Sequence, residues 1–326
     1  MARHANRGFM RELVRNPLIV ATASGLVANL LGFGIPYWLE PTVNRIGQAS
    51  LALGLLAANS PAARMLGAQE LKPEKSSNFN FGLVLTPLED LSLSVDAYQI
   101  RIRDRIVDSG TYSGQEAIDA LTAAGISLPA GLGNVSTHYL ANGADTQTRG
   151  VDITGHYLTS LGRYGEIDWE LSSNFNRTKL LKNHRGANGD LLLNAQQISW
   201  ITSSTPRSQI SLGGTWSLED LAVSLRLTRY GRTTSELDYT VGPDAWSSSV
   251  FNHFVNQPKY ITDIAVRYAV NRNLTLTAGA DNLFDVRPDK LPAQNTTYGD
   301  VLRYDTYASQ IGFNGAFYYL KAAYQF

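Results

Sequence analysis

The sequence contains no cysteine, so no disulfide and no thiolate metal site is available to it. It has no surplus of either charge: 28 Lys and Arg stand against 28 Asp and Glu. That balance removes the bulk field expected of a nucleic-acid binder. Histidine is scarce, and the five present (His4, His138, His156, His184, His253) have no close ligand spacing, which argues against a His-based metal centre. No glycine-rich phosphate loop follows a strand-like segment, and no Ser sits in a nucleophile elbow. No catalytic residue, cofactor or metal is therefore expected, and an enzyme is not. Charged residues make up only 17%, while Tyr (16) and Gly (28) are plentiful. This mixture suits β-structure with one wet and one apolar face.

The chain divides near residue 68. Before it the pattern is helical and apolar. Leu18–Ile35 carries no charge over the shortest length that spans a bilayer as a helix, and Arg7, Arg11 and Arg15 precede it. Ala49–Ala58 is apolar but too short to span. A secretory signal is an alternative, with small residues at Ala57, Ala58, Ala62 and Ala63, although Pro36, Trp38, Glu40 and Pro41 interrupt the run. A buried soluble helix is a third. The wording RNPLIVATASGLVANLLGFGIP…IGQASLALGLLA resembles an internal helix pair of the auxin efflux carrier family, which implies an inner-membrane carrier fragment. Two parts are thus expected: an apolar helical segment over 1–68, carrier-like or an anchor, and a β-rich segment over 69–326.

From about residue 70 the period changes to two. Ile167, Trp169, Leu171 and Phe175 alternate with Asp168, Glu170, Ser172 and Asn174, which puts a greasy and a wet side on one strand. Leu221, Val223, Leu225 and Leu227 alternate with Ser224, Arg226 and Thr228 in the same way. So do Ile264, Val266, Tyr268 and Val270 with Asp263 and Arg267. Phe79–Leu85, Ile210–Trp216 and Leu274–Ala280 carry similar stripes.

Alternation also occurs in soluble sandwiches. The connections discriminate. Tight turns at Thr86–Asp90, Ser160–Gly165, Ser217–Asp220 and Val270–Asn273 alternate with long connections over about 104–147, 177–206, 231–258 and 285–311. Compact soluble domains rarely repeat structureless loops of that length. Outer-membrane barrels combine short periplasmic turns with long extracellular loops. Trp216 beside a short turn and Tyr230 near a long loop fit interfacial aromatic girdles. The last strand places Tyr318, Leu320, Ala322, Tyr324 and Phe326 on one face and ends on an aromatic carboxy-terminal residue. Tyr318, Leu320, Tyr324 and Phe326 are accordingly expected to form a barrel-assembly signal.

Several motifs in order carry a family likeness. LKPEKSSNFNFGL at Leu71–Leu83 resembles the LKPE-K-x-x-x-x-E-x-G start of a late barrel strand in TonB-dependent receptors, with Asn80 where that family often has an acid. SLSVDAYQIRIRDRI at Ser92–Ile106 resembles the next strand. Asn142–Asp152 resembles the N-x-x-x-x-x-x-x-G-[VIF]-[DE] stretch, Ala280–Asp285 the NLFD stretch, and AAYQF the terminal strand. The resemblance implies an all-β membrane protein: a partial antiparallel transmembrane barrel of about nine strands, the C-terminal end of a barrel that closes with about 22. It also implies uptake of a ferric siderophore or similar bulky nutrient, outer-membrane lipid around the strands, the barrel-assembly machinery, and energy from the TonB–ExbB–ExbD complex. Neither a plug-like pattern nor a TonB box is visible in residues 1–68, so a truncated receptor that does not transport alone is expected. A small complete barrel (porin, adhesin or lipase-like) and an inner-membrane carrier fragment are the alternatives.

Three charged groupings merit bland readings. Asp145, Arg149 and Asp152 read as solvated wall residues. Asp281, Asn282 and Asp285 are too few oxygen donors for a calcium loop. Gln115–Ala124 reads as a short amphipathic helix decorating the longest loop.

Overall fold

The computed structural model describes residues 55–128, 135–296 and 303–326. The run Leu18–Ile35 and most of Ala49–Ala58 lie outside them. Among the described residues no helix is long and apolar enough to cross a membrane, which leaves crossing by strands open.

In chain order the strands are β1 (Leu55–Leu56), β2 (Lys75–Leu88), β3 (Leu91–Asp108), β4 (Tyr112–Ser113), β5 (Ser136–Ser160), β6 (Glu166–Asn183), β7 (Ser208–Leu218), β8 (Leu221–Tyr230), β9 (Thr233–Leu237), β10 (Asn252–Asn256), β11 (Lys259–Ala269), β12 (Leu274–Asp281) and β13 (Phe317–Tyr324). The helices are α1 (Pro61–Met65), α2 (Gln115–Ala123) and α3 (Ala195–Thr202). Nine strands form one antiparallel path, β13-β12-β11-β8-β7-β6-β5-β3-β2. The path does not close: β2 and β13 are its two edges, and both run from the long-loop end to the short-turn end.

The four tight turns stand where the sequence puts them, between β2 and β3, β5 and β6, β7 and β8, and β11 and β12. The first two long connections are shorter than the sequence suggests, and the last, between Asp281 and Phe317, is longer. β3, β5 and β6 continue past their apolar stretches as polar strands, pairing Arg105 with Ala144 and Asp108 with Leu140. Ladder bonds need only backbone groups, so loss of the apolar stripe does not end a strand. The connection over 231–258 likewise holds a two-stranded ribbon of β9 and β10.

Register gathers the apolar residues onto one face. Leu83 opposes Val95, Val95 opposes Ile153, and Tyr157 opposes Trp169. Leu171 opposes Leu212, which opposes Leu227, and Val223 opposes Val266. The row continues through Val266 and Ala278 to Leu320. Among the described residues these side chains meet no second sheet. Phe79 (68%), Leu225 (53%) and Leu320 (80%) are open to the surroundings. A continuous exposed apolar surface of this extent is compatible with hydrocarbon and not with water.

Turn chemistry fixes the short-turn end. Gly165 sits at φ 88, and a Cβ there would run into the Ser217 carbonyl oxygen. Only glycine meets both demands. The Asn271 side chain accepts from the Asn273 and Leu274 N–H groups, both at 2.9 Å, closing the β11–β12 turn. Asn273 then donates to the Gln325 carbonyl at 2.7 Å, which pins the end of the last strand.

The true hydrophobic core lies at the long-loop end. Leu56, Ala62, Ala63 and Leu66 pack with Ala117, Ala120 and Leu121 of α2 and with Tyr139 of β5. The Tyr139 hydroxyl donates to the Leu66 carbonyl at 3.1 Å, and β1 pairs in parallel with β5 through Leu56 and Tyr139. Residues 55–68 are thus joined to the β3–β5 connection. α2 is the short amphipathic helix expected within that connection, its apolar side turned into this core.

Candidate functional site

The face opposite the apolar one is polar and concave. Glu170 (β6), Gly213 (β7), Arg226 (β8), Asp263 (β11), Asp281 (β12) and Tyr319 (β13) line a single cleft of about 230 Å³. A neighbouring cleft of about 570 Å³ adds His156, Gln209, Ser211 and Thr228. Side chains from such widely separated strands share one space because they take the opposite parity from the apolar stripe.

Acids dominate this wall, and several are held by neighbours. His156 Nε2 lies 2.6 Å from Asp168 Oδ1, and Arg226 Nη2 lies 3.6 Å from Glu170 Oε2. Asn174 donates to Asp152 and, at 3.3 Å, to the Tyr98 hydroxyl. Hydroxyls pair across strands, Thr215 with Ser224 and Ser211 with Thr228, both at 3.0 Å. Tyr98 and Tyr319 lie over the directly opposed Gly150 and Gly279, where an added Cβ would strike the rings. The glycines leave room for flat aromatic cover on the polar wall.

The groups that the sequence sets side by side are parted by the fold. Asp152 faces the polar wall. Arg149 stands opposite Gln99 and Arg177 on the apolar parity, so it is not part of that wall, because residues an odd number apart on one strand point to opposite sides. Asp145 lies where the register shifts, and its Oδ1 accepts from the Asp104 N–H at 3.0 Å and meets His184 Nε2 at 3.0 Å. Ligand atoms of Asp104, Asp145 and His184 fall within 4.8 Å of one another, a proximity that sequence spacing does not reveal. Asp104 itself has φ 54, so these bonds secure a bulge in β3.

The four described histidines each face a carboxylate: His138 with Asp108, His156 with Asp168, His184 with Asp145 and His253 with Glu236. None of them is paired with a Ser or Thr hydroxyl, so among the described residues no Ser–His–acid chain is assembled.

The NLFD stretch acquires a structural explanation. Asn282 takes φ 54, accepts from the Val286 N–H at 2.9 Å and donates to the Val286 carbonyl at 2.7 Å. Its own N–H donates to Asp263 at 2.8 Å. Asp285 accepts from the Ala316 N–H at 2.9 Å and pairs with Arg287, which together hold its carboxyl below the usual carboxylate range. The motif folds the chain out of β12 and fastens the start of β13. The Asn282 side-chain oxygen and Asp285 Oδ1 are thus taken up by hydrogen bonds, while Asp281 lines the polar cleft.

On the terminal strand, Tyr318 (66%), Leu320 (80%), Tyr324 (59%) and Phe326 (108%) are exposed on the apolar face. The Tyr318 hydroxyl donates to the Leu283 carbonyl at 3.3 Å, and the Tyr324 and Phe326 rings meet edge to face at 5.1 Å. Trp216 donates from Nε1 to the Tyr164 carbonyl at 2.8 Å beside the short turn, as an interfacial aromatic does.

Comparison with known proteins places these features. The chain matches the family described as TonB dependent receptor-like, beta-barrel, over residues 32–283. No curated protein sequence matches it. Among solved structures it is similar to the outer membrane transporter YddB from Escherichia coli, at 15% identity and TM-score 0.51, covering 79% of this chain and 33% of that one. The siderophore receptor PirA from Acinetobacter baumannii is 20% identical with TM-score 0.49, covering 79% and 32%. The pyoverdine outer membrane receptor FpvA from Pseudomonas aeruginosa PAO1 is 15% identical with TM-score 0.47, covering 80% and 31%. The chain spans about a third of the length of each. With its lipid-facing stripe, its polar inner wall and its alternation of short turns and long loops, this chain belongs to the TonB-dependent receptor β-barrel family, and its place is the outer membrane.

Proposed function

We propose that the nine-stranded sheet is part of the channel wall of a receptor that imports a ferric siderophore or a comparably bulky nutrient. In this reading it acts as a transporter and not as an enzyme. One observation carries it: a single sheet whose outward face bears a continuous apolar band and whose inward face gathers Asp168, Glu170, Arg226, Asp263 and Asp281 into shared clefts. A wall of that kind faces lipid on one side and a hydrated passage or a plug on the other.

The same reading holds that the sheet does not transport alone. Its edges β2 and β13 run in the same direction, so antiparallel closure takes an odd number of further strands between them. Each unpaired backbone group in hydrocarbon costs several kcal/mol. Import then draws on strands, a plug and a TonB box beyond those described, and on the TonB–ExbB–ExbD complex. Tyr318, Leu320, Tyr324 and Phe326 serve as the signal read by the barrel-assembly machinery. The reading keeps the division near 68/69 between an apolar carrier-like or anchoring segment and the barrel segment, with residues 55–68 seated on the outer cap.

The test is growth of a receptor-deleted host with a ferric siderophore as its iron source. Expression of this chain by itself is expected to restore no growth, whereas the chain joined to a plug and the remaining strands restores it. Restored uptake by the chain alone refutes the need for further strands. Failure of the completed receptor across a panel of siderophores, haem and cobalamin refutes the transport reading.

A further inference from the structure

At the long-loop end the chain brings one imidazole and two carboxylates together from three places. Asp104 lies on the β3 bulge, Asp145 on β5 and His184 directly after β6; 41 residues separate the first two and 39 the last two. The Asp145 and His184 side chains are each only 18% exposed, and Asp104 is partly buried as well. The backbone around the set is fixed. Asn142 donates to the Asp104 carbonyl at 2.6 Å and to the Lys72 carbonyl at 2.8 Å, and Glu74 accepts from the Ile106 N–H at 2.6 Å. His184 donates its N–H to the Gly143 carbonyl and accepts from the Leu192 N–H, both at 2.9 Å.

The bulge is held by the Asp104 N–H, which leaves the Asp104 carboxylate without a structural task. Among the described residues it makes no hydrogen bond and no ion pair, yet it stands within 4.8 Å of the Asp145 carboxylate and of His184 Nε2. Two carboxylates this close in a partly desolvated place repel each other unless a cation lies between them. A cleft of about 80 Å³, lined also by Glu70, Lys72 and Asn142, opens onto Asp104 and His184 and has room for an ion and its water. The donor set is selective. Calcium takes about six to eight oxygens, whereas one imidazole nitrogen with two carboxylate oxygens suits a dication of the zinc class. Two donors each about 2.1 Å from one ion stand about 3.0–3.4 Å apart. His184 Nε2 and Asp145 Oδ1 are already 3.0 Å apart, and rotation of the Asp104 side chain completes the set.

We propose that Asp104, Asp145 and His184 form a binding site for a divalent cation of the zinc class. His184 gives Nε2, with its ring proton on Nδ1, and each aspartate gives one oxygen; water from the cleft takes the remaining position. The Asp104 N–H bond to Asp145 orients that carboxylate toward the ion. A bound cation relieves the repulsion between the two acids and clamps β3 and β5 to the end of β6. The role is structural, and it does not depend on what the receptor carries.

The test uses the full chain extracted from outer membranes, stripped with a chelator and titrated with zinc ion alone, the bound metal being read by native mass spectrometry. The unaltered chain is expected to retain zinc in the presence of excess calcium and to gain a higher denaturation midpoint when it does. His184→Gln, whose amide still reaches Asp145, is expected to bind zinc about tenfold or more weakly. His253→Gln, which removes the imidazole paired with Glu236, is expected to bind it as the unaltered chain does. No zinc retained by the unaltered chain, a result that needs no variant, overturns the proposal. So does full displacement of zinc by calcium, which would make the two acids a general cation site. Undiminished zinc binding in His184→Gln overturns it as well.

Discussion

The two faces of the nine-stranded sheet share one backbone ladder, yet they tolerate opposite residues. On the outward face Leu225 is open and apolar; its neighbour Ser224, one residue back, pairs with Thr215 on the inward wall. In a soluble sandwich the apolar parity would be the buried one. Here the buried apolar cluster lies instead in the cap around Tyr139 and Leu121. Within one chain, then, the same side chains turn outward where the solvent is lipid and inward where it is water.

Exchanging the chemistry of the two faces gives the largest expected effect. Leu225→Arg puts a charge near the middle of β8 on the lipid side, at a cost of about 2–4 kcal/mol. Ser224→Arg adds the same side chain to a polar cleft and is expected to cost little. Quantifying each variant in the outer-membrane fraction should show a fall of about tenfold or more for the first and near-normal recovery for the second. Equal losses would mean that the two parities do not face different solvents.

How far this division is legible in the sequence depends on the kind of signal. Alternation such as Ile167 to Phe175 is local, and so are the short turns; both can be read directly. The NLFD stretch can be recognised as a motif, but its reason lies in contacts to Val286, Asp263 and Ala316, two of them distant in the chain. Arg149 illustrates the limit. It sits among Asp145 and Asp152 in sequence and reads as part of a charged grouping, while parity puts it with Arg177 on the outer face. The signal was present as Lys and Arg continuing the apolar rows of β3, β5 and β6; only inter-strand register joins them. The meeting of Asp104, Asp145 and His184 depends on a bulge and has no short-range signature.

The inward wall is further distinguished by its glycines. Tyr98 covers Gly150 and Tyr319 covers Gly279 across adjacent strands. Gly150→Val should displace the Tyr98 ring and cost about 1–3 kcal/mol. Combining it with Tyr98→Ser should recover much of that loss. A double-mutant cycle on denaturation midpoints reads the coupling, and additive costs would show that the ring and the glycine do not depend on each other.

At the short-turn end, where both faces meet water, a smaller effect is expected. Gly165→Ala combines a positive φ with a collision at the Ser217 carbonyl, for about 1–2 kcal/mol. Gly162→Ala in the same turn also has a positive φ, 60, but open space around it, so its cost should be smaller. The difference between the two isolates the collision from backbone strain; identical midpoints would remove the close approach as a cause.

The smallest effect concerns the loop that leads into β13. Asp285 is exposed, and the Ala316 N–H with Arg287 holds its carboxyl below the ordinary range. A carboxyl depressed in the folded state contributes stability above its unfolded value, near 3.9, and that contribution disappears as pH falls through the lower folded value. Protection of the Ala316 amide, corrected for the intrinsic exchange rate, should therefore be high at neutral pH and should fall as the solution is acidified into that window. Asp285→Asn keeps an acceptor for the amide but removes the titrating charge, so its corrected protection should be lower at neutral pH and flat across the same window. Parallel profiles in the two proteins would show that the outward course of the loop is fixed by the Asn282 bonds alone, independent of the charge that joins the end of β12 to the start of the last strand.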